Sequence, residues 1–155
     1  MHQTSFSLRL PLAGDRGRYA NTKKGGIAMN PLTDEKIIGT LGELLVQLRL
    51  FQYGVQAAPP LQDSGNDLIA VRGETFKAIQ VKTTATDVKL QIPQDRLYHI
   101  LAFVRLRREG DNLLLDSSEI YIIEKEAIDK KEIDPNDLNK YLISQELVDH
   151  LFPPQ

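Results

Sequence analysis

Gly65-Asn66-Asp67-Leu68-Ile69-Ala70-Val71-Arg72-Gly73-Glu74-Thr75-Phe76-Lys77-Ala78-Ile79-Gln80-Val81-Lys82-Thr83 is the stretch that decides the fold. Asp67–Val71 is a short apolar run behind a Gly-Asn turn signal, and Thr75–Thr83 carries the β-branched residues of a second strand. Arg72-Gly73-Glu74 between them is short enough for a hairpin turn. A period of two sets Ile79 and Val81 on one face of the second strand and Ala78, Gln80 and Lys82 on the other. Gln80 and Lys82 then stand side by side, roughly 6.6 Å apart along the strand. Pairing through the hairpin brings Asp67 opposite residues 79–81. A carboxylate and an amide oxygen meeting there suit a hard divalent cation, which takes oxygen ligands. The adjacent ammonium suits orienting an attacking water and stabilising charge on a phosphate.

Upstream, the spacing predicts a helix. Thr33 serves as its N-cap, Asp34 and Glu35 complement the helix dipole in the first turn, and Gly54 suits the C-terminal stop. Ile37, Leu41, Leu44, Leu45, Leu48 and Phe51 recur at three- and four-residue spacing and predict the buried face, with Glu43 well off it. Val55–Pro60 reads as a short extended segment closed by two prolines. Downstream, a third strand is expected over Val88–Ile92 and a central strand, buried on both faces, over Ile100–Val104. Glu109–Asn112 reads as a turn, Glu119–Ile123 as a further strand, and Asn136–Leu151 as a terminal helix with Leu138, Leu142, Leu147 and Leu151 apolar. The order of helix, strands, short crossover, strands and helix predicts a mixed α/β domain.

The chain has 155 residues, enough for one ordinary domain with one sizeable core. Residues 29–155 are expected to form that domain. Residues 1–28, with five basic side chains against Asp15, read as a loosely ordered basic N-terminal arm, and Met29 offers an alternative start. The net charge of −2 is a cancellation between segments. Residues 72–108 hold eight basic and three acidic side chains, a net of +5, whereas residues 109–155 hold four lysines and twelve carboxylates, a net of −8. Salt screens charges beyond roughly 8–10 Å, so a local basic zone attracts an anionic polymer whatever the total. With no cysteine there is no disulfide framework, thiolate metal site or cysteine nucleophile. His2, His99 and His150 lie too far apart to form a metal-ligand spacing. No apolar run approaches the ~20 residues of a membrane span and no secretory leader is visible, so the expectation is a cytoplasmic protein with no membrane partner.

The order Gly42-Glu43-Leu-Leu, Gly54-Val55 to Pro60, Gly65-Asn66-Asp67-Leu-Ile, then Ala78-Ile-Gln80-Val-Lys82-Thr-Thr resembles the PD-(D/E)XK nuclease superfamily, over residues 34 to about 106. The resemblance is greatest to small members like homing endonucleases and Holliday-junction resolvases, some of which carry Gln in the last motif. It implies an α/β fold with a restriction-endonuclease-like core: a helix, three strands, a short helix and strands, here followed by a C-terminal helix. It also implies a Mg²⁺-dependent endonuclease, with Mn²⁺ as a substitute, that hydrolyses DNA phosphodiester bonds as a homodimer or tetramer. By the same resemblance Asp67 is the metal-ligating aspartate, Lys82 the catalytic lysine and Glu43 the helix glutamate of the site. Gln80 stands where most members have Glu or Asp, and the Val81 main-chain carbonyl is a further metal ligand. Asn66 replaces the proline of the superfamily's name.

Lys77, Lys89, Arg96 and Arg105, from the basic stretch, are the candidate DNA contacts. Taken singly, each site residue also has a plainer reading: Glu43 as a solvated helix glutamate, Asp67 as a turn residue, Lys82 as a surface charge. Asp63 is a nearby decoy carboxylate. Gln80 is harder to set aside, since an amide in a buried strand needs a partner. Its neutrality removes one negative charge from the metal site. The competing reading is therefore a catalytically silent relative that binds nucleic acid or a protein partner; a plain structural α/β domain is weaker still.

Overall fold

The computed structural model describes residues 7–9, 32–62, 65–87, 89–110 and 112–154. Among these residues six strands, β1 (Ser7–Arg9), β2 (Gln56–Ala58), β3 (Leu68–Arg72), β4 (Thr75–Thr84), β5 (Ile100–Glu109) and β6 (Asn112–Glu124), form one sheet in the order β1-β6-β5-β4-β3-β2. The helices are α1 (Asp34–Gln52), α2 (Lys125–Asp129) and α3 (Gln145–Leu151), with a 3₁₀ turn at Asn139–Tyr141. Neighbouring strands run antiparallel except β4 and β5, which are parallel. The protein is thus a mixed α/β fold. Within the stretch read as a basic arm, only Ser7–Arg9 is described, paired to Leu114–Asn112 of β6; the rest of the arm, Met29 and Asp63 lie outside the described residues.

Local signals in α1 act as expected at both ends. The Thr33 side chain accepts from the Lys36 amide. At the other end Val55 N–H donates to Leu50 O at 2.9 Å and Gly54 N–H to Phe51 O at 3.0 Å, with Gly54 at φ 78°. These two bonds are a Schellman stop, and its apolar contact is the fully buried pair Leu50 and Val55. The hairpin is tight: Arg72 pairs with Thr75, and Gly73 at φ 58° supplies the positive φ that a two-residue turn demands.

The sheet is covered on both faces, and alternation along β5 divides the two. Ile100, Ala102 and Val104 belong to the main core with Leu45, Val46 and Leu50 of α1 and Val148, Leu151 and Phe152 at the C-terminus. Leu101 and Phe103 belong to a second cluster with Tyr121 and Ile123 of β6, closed over by Leu90, Tyr98 and Leu138. Residues 100–104 are all buried, as a central strand requires.

Four expectations are corrected. The buried stripe of α1 is Gly42, Leu45, Val46 and Leu50, whereas Leu44, Leu48 and Phe51 are exposed; the helix is turned because it rests on β4 through Gly42. No strand forms over 89–92 and no short helix over the described part of 85–99. Pro93 lacks an N–H for a ladder, and Leu90 and Ile92 are used as a cover over the second sheet face. The terminal helix is confined to Gln145–Leu151, because Ser144 caps it and Ile143 N–H is taken by Ile120 O. Finally, β5 and β6 run well beyond 104 and before 119. At their bulge near Arg107, the Ser118 hydroxyl accepts from Arg107 N–H and donates to Leu114 O.

Candidate active site

Asp67 lies just before β3, and its amide donates to Ile79 O at 3.0 Å. The pairing of Leu68 with Ile79 places Asp67 opposite Gln80. One carboxylate oxygen of Asp67, Oδ2, accepts from the Val81 amide at 2.6 Å and also from Gln80 Nε2. The plainer reading of Asp67 as a turn residue bonded only to its local backbone therefore fails: its carboxylate spans two strands. Gln80 Nε2 also lies 3.4 Å from the Val81 carbonyl. Gln80 is buried, and with its amide nitrogen directed at Asp67 its Oε1 has no hydrogen-bond partner. An unpartnered buried carbonyl oxygen costs about 1–3 kcal/mol, so a donor or a cation at Gln80 Oε1 would be favoured.

Glu43, half-buried on α1, lies within electrostatic reach of Asp67. Burial pushes its carboxyl above the usual range, and the Asp67 charge pushes it further. Two carboxylates close enough to repel, next to an unpartnered amide oxygen, are a donor set that fits a divalent cation completed by water. Among the described residues no group of three or more carboxylate or imidazole side chains stands ready to hold a metal. The fit therefore depends on the amide oxygen and the Val81 carbonyl.

Lys82 is exposed and shares the strand face of Gln80, with Phe103 as its cross-strand neighbour on β5. Of the proposed DNA contacts, Arg105 follows on that face. Its guanidinium lies 5.4 Å from the ring centroids of both Phe103 and Tyr121, which fixes it by cation–π contact. Arg96 is brought to the turn before Asp67: a methyl built on Gly65 would lie 3.9 Å from Arg96 Cδ. Lys89 is exposed in the 85–99 connection. Lys77 does not join them. It occupies the opposite face of β4 and lies 3.8 Å from a Glu124 carboxylate oxygen. His99 is exposed, and its Nδ1 accepts from the Ala78 amide at 3.0 Å.

Thr83 is the neighbour that sequence reasoning passes over. Its hydroxyl is buried against α1 without a partner, and nothing in the run Lys82-Thr83-Thr84 marks it as different from Thr84.

No family model matches the chain, and no curated protein matches it. Among solved structures the chain is similar to a bacterial homing endonuclease, I-Ssp6803I, at 13% identity and a TM-score of 0.43, with 61% of this chain and 72% of that one covered. A likeness of that degree leaves the site to be argued from its own side chains. No helix of the described residues is long and apolar enough to cross a membrane.

Proposed function

We propose that this chain is a metal-dependent endonuclease that hydrolyses DNA phosphodiester bonds. The observation that carries the reading is the union of Asp67 with Gln80 and Val81, with Gln80 Oε1 left unpartnered and Glu43 within electrostatic reach. Asp67, Glu43, Gln80 Oε1 and the Val81 carbonyl would hold Mg²⁺, or Mn²⁺ in its place. When bound, the cation would supply charge stabilisation at the phosphate and a more acidic water. Lys82 contributes an ammonium on the same face, which donates to a phosphate oxygen or orients the attacking water. Arg105, preset by its two rings, presents a flat guanidinium suited to a phosphate, and Lys89 and Arg96 extend the basic surface. Because one such core holds one site, cutting both strands of a duplex favours a homodimer or tetramer.

The test is incubation of purified protein with supercoiled plasmid and Mg²⁺ or Mn²⁺, beside Lys82→Ala. Metal-dependent nicking by the parent and its loss in the variant is the expected result. Equal nicking by both removes Lys82 from the mechanism, and nicking by neither removes the enzyme. The second reading, a catalytically silent nucleic-acid-binding protein, draws on one observation. Gln80 Nε2 and the Val81 amide both donate to Asp67 Oδ2. It predicts DNA binding that survives Lys82→Ala and is indifferent to metal.

A further inference from the structure

Gly42 lies in the middle of α1, where glycine is a poor helix former, and Gly39 lies one turn before it. The two differ in surroundings. A Cβ built on Gly39 meets nothing within 4 Å, whereas one built on Gly42 would lie 1.8 Å from Thr83 Oγ1 and 2.8 Å from both Thr83 Cβ and Cγ2. Helix and strand therefore meet backbone to side chain at Gly42. Thr83 follows Lys82 on β4, and Glu43 follows Gly42 on α1, so the contact joins the two elements that carry the candidate site. The close approach is not explained by a hydrogen bond there, since the Thr83 hydroxyl is buried without one. What it does achieve is a helix lying low on β4 at the residue just before Glu43.

We infer that Gly42 is a positioning residue: by letting α1 settle onto Thr83 of β4, it sets the distance at which Glu43 stands from Asp67. The inference rests on the reading of Glu43 as part of the site, and it gives the helix glycine a task that its own chemistry does not reveal. Any side chain at position 42 must lift or tilt α1, because the strand backbone behind Thr83 is held in register with Val104 of β5. Removing Thr83 down to glycine clears all three close atoms and should allow the helix back.

The chain has no cysteine, so an introduced thiol pair is unambiguous. In a full-length Glu43→Cys, Asp67→Cys background, a short rigid bismaleimide should join the two positions. Adding Gly42→Ala should slow the crosslink about tenfold or more, as expected when reacting groups move by an ångström or so. Thr83→Gly on top of Gly42→Ala should restore it, and Gly39→Ala should leave it unchanged. A folded Gly42→Ala protein that crosslinks at the starting rate overturns the inference, as does failure of Thr83→Gly to restore the crosslink. If Gly42→Ala does not fold, the doubly substituted Gly42→Ala, Thr83→Gly protein must both fold and crosslink, or the inference falls. A background pair that never crosslinks overturns the juxtaposition itself. A parallel melt of the parent chain and Gly42→Ala with and without Mg²⁺ separates this from the metal reading. Loss of a Mg²⁺-dependent shift in Gly42→Ala, with rescue by Thr83→Gly, is expected. Absence of any shift in the parent chain with crosslinking intact sinks the metal site and leaves the positioning role standing.

Discussion

Gln80→Glu puts a carboxylate where the buried amide stands, and in the absence of metal it should make this protein less stable. In the structure the amide nitrogen of Gln80 donates to Asp67 Oδ2. The substitution replaces that donor with a second anion in a buried position. A hydrogen bond to a charged group contributes about 1.5–3 kcal/mol. Two like charges about 4 Å apart at an effective dielectric near 20 repel by about 4 kcal/mol, as an upper bound. The introduced carboxyl has a second route, which is to stay protonated and share its proton with Asp67. From an unfolded value of about 4.3, that costs about 1.4 kcal/mol per pH unit, or about 1 kcal/mol at pH 5 and about 5 at pH 8. The ionised route carries both costs, so protonation stays the cheaper route through pH 8, and the variant should lose about 1 kcal/mol at pH 5 and about 5 at pH 8. The sign follows from linkage. The folded carboxyl titrates above its unfolded value, so the penalty is absent below about pH 4.3, grows through the window up to the folded value and is constant beyond it.

Urea denaturation of the parent chain and Gln80→Glu at pH 5 and pH 8 reads the difference directly. A destabilisation equal at the two pH values would refute the Asp67–Gln80 contact as drawn. Repeating the pH 8 measurement in Mg²⁺ probes the metal. A ligand at 100 times its dissociation constant adds about 2.7 kcal/mol to the state that binds it, so Mg²⁺ should offset about half of the apo penalty. A variant whose deficit at pH 8 is unchanged by Mg²⁺ would count against these oxygens as ligands.

Three further outcomes follow from other contacts. Glu43 has its carboxyl raised by burial first and the Asp67 charge second, so its ionised form opposes folding; Glu43→Gln should raise the denaturation midpoint at pH 8, lose that advantage as the pH falls below the unfolded carboxylate range, and abolish nicking. Arg72 holds the end of β3 to α3 by donating to Asp149 at 2.5 Å and to Phe152 O at 2.8 Å. Arg72→Met should cost about 1–3 kcal/mol at neutral pH in a urea titration. Because that pairing lowers the Asp149 carboxyl, the difference should shrink as acid protonates it. Arg105→Ala should weaken duplex DNA binding measured by fluorescence anisotropy in Ca²⁺ and reduce the slope of log affinity against log salt by about 0.9. An unchanged slope removes Arg105 from the phosphate contacts.

Much of this architecture was legible because it is locally encoded. Thr33 and Gly54 bound α1, Gly73 closes the hairpin, and a period of two in Ile79, Gln80, Val81 and Lys82 assigns each to its face. What the sequence hid is decided by tertiary contact. Leu44, Leu48 and Phe51 are as apolar as Leu45 and Leu50, so periodicity alone set the buried stripe one row off; the row is chosen by Gly42, the residue that lets the helix touch β4. Leu90 and Ile92 have strand-like character, yet they sit between parallel strands whose connection must cross a sheet face, and covering that face outweighs pairing. In the same way Leu138 and Leu142 fit a helical period, but Ile143 finds its hydrogen bond on β6 and Ser144 restarts the helix. At the site itself the order Glu43, Asp67, Gln80, Lys82 was readable. That Asp67 would bind the Val81 amide, and that Thr83 would be buried under Gly42, was not, because both depend on how α1 and β3 are seated.

The neutral residue at position 80 is often taken as a defect in a metal site, but the hydrogen bonds suggest a different balance. With Glu43 already near Asp67, a third carboxylate would leave three anions competing for protons whenever the cation was absent. Gln80 instead offers its nitrogen to Asp67 and keeps one oxygen, Oε1, unpartnered. The arrangement thereby lowers the electrostatic cost of the empty site, since the nitrogen and the Val81 amide together neutralise the demand of Asp67 Oδ2. In the proposed metal site an amide oxygen would contribute no charge to a bound cation, so affinity would have to come from Asp67, Glu43 and the phosphate of a DNA substrate. A site built this way should bind metal weakly alone and more tightly with DNA present. Isothermal titration of Mg²⁺ or Ca²⁺ into the protein with and without a duplex reads that coupling, and equal affinity in the two titrations would remove the substrate phosphate from the coordination scheme.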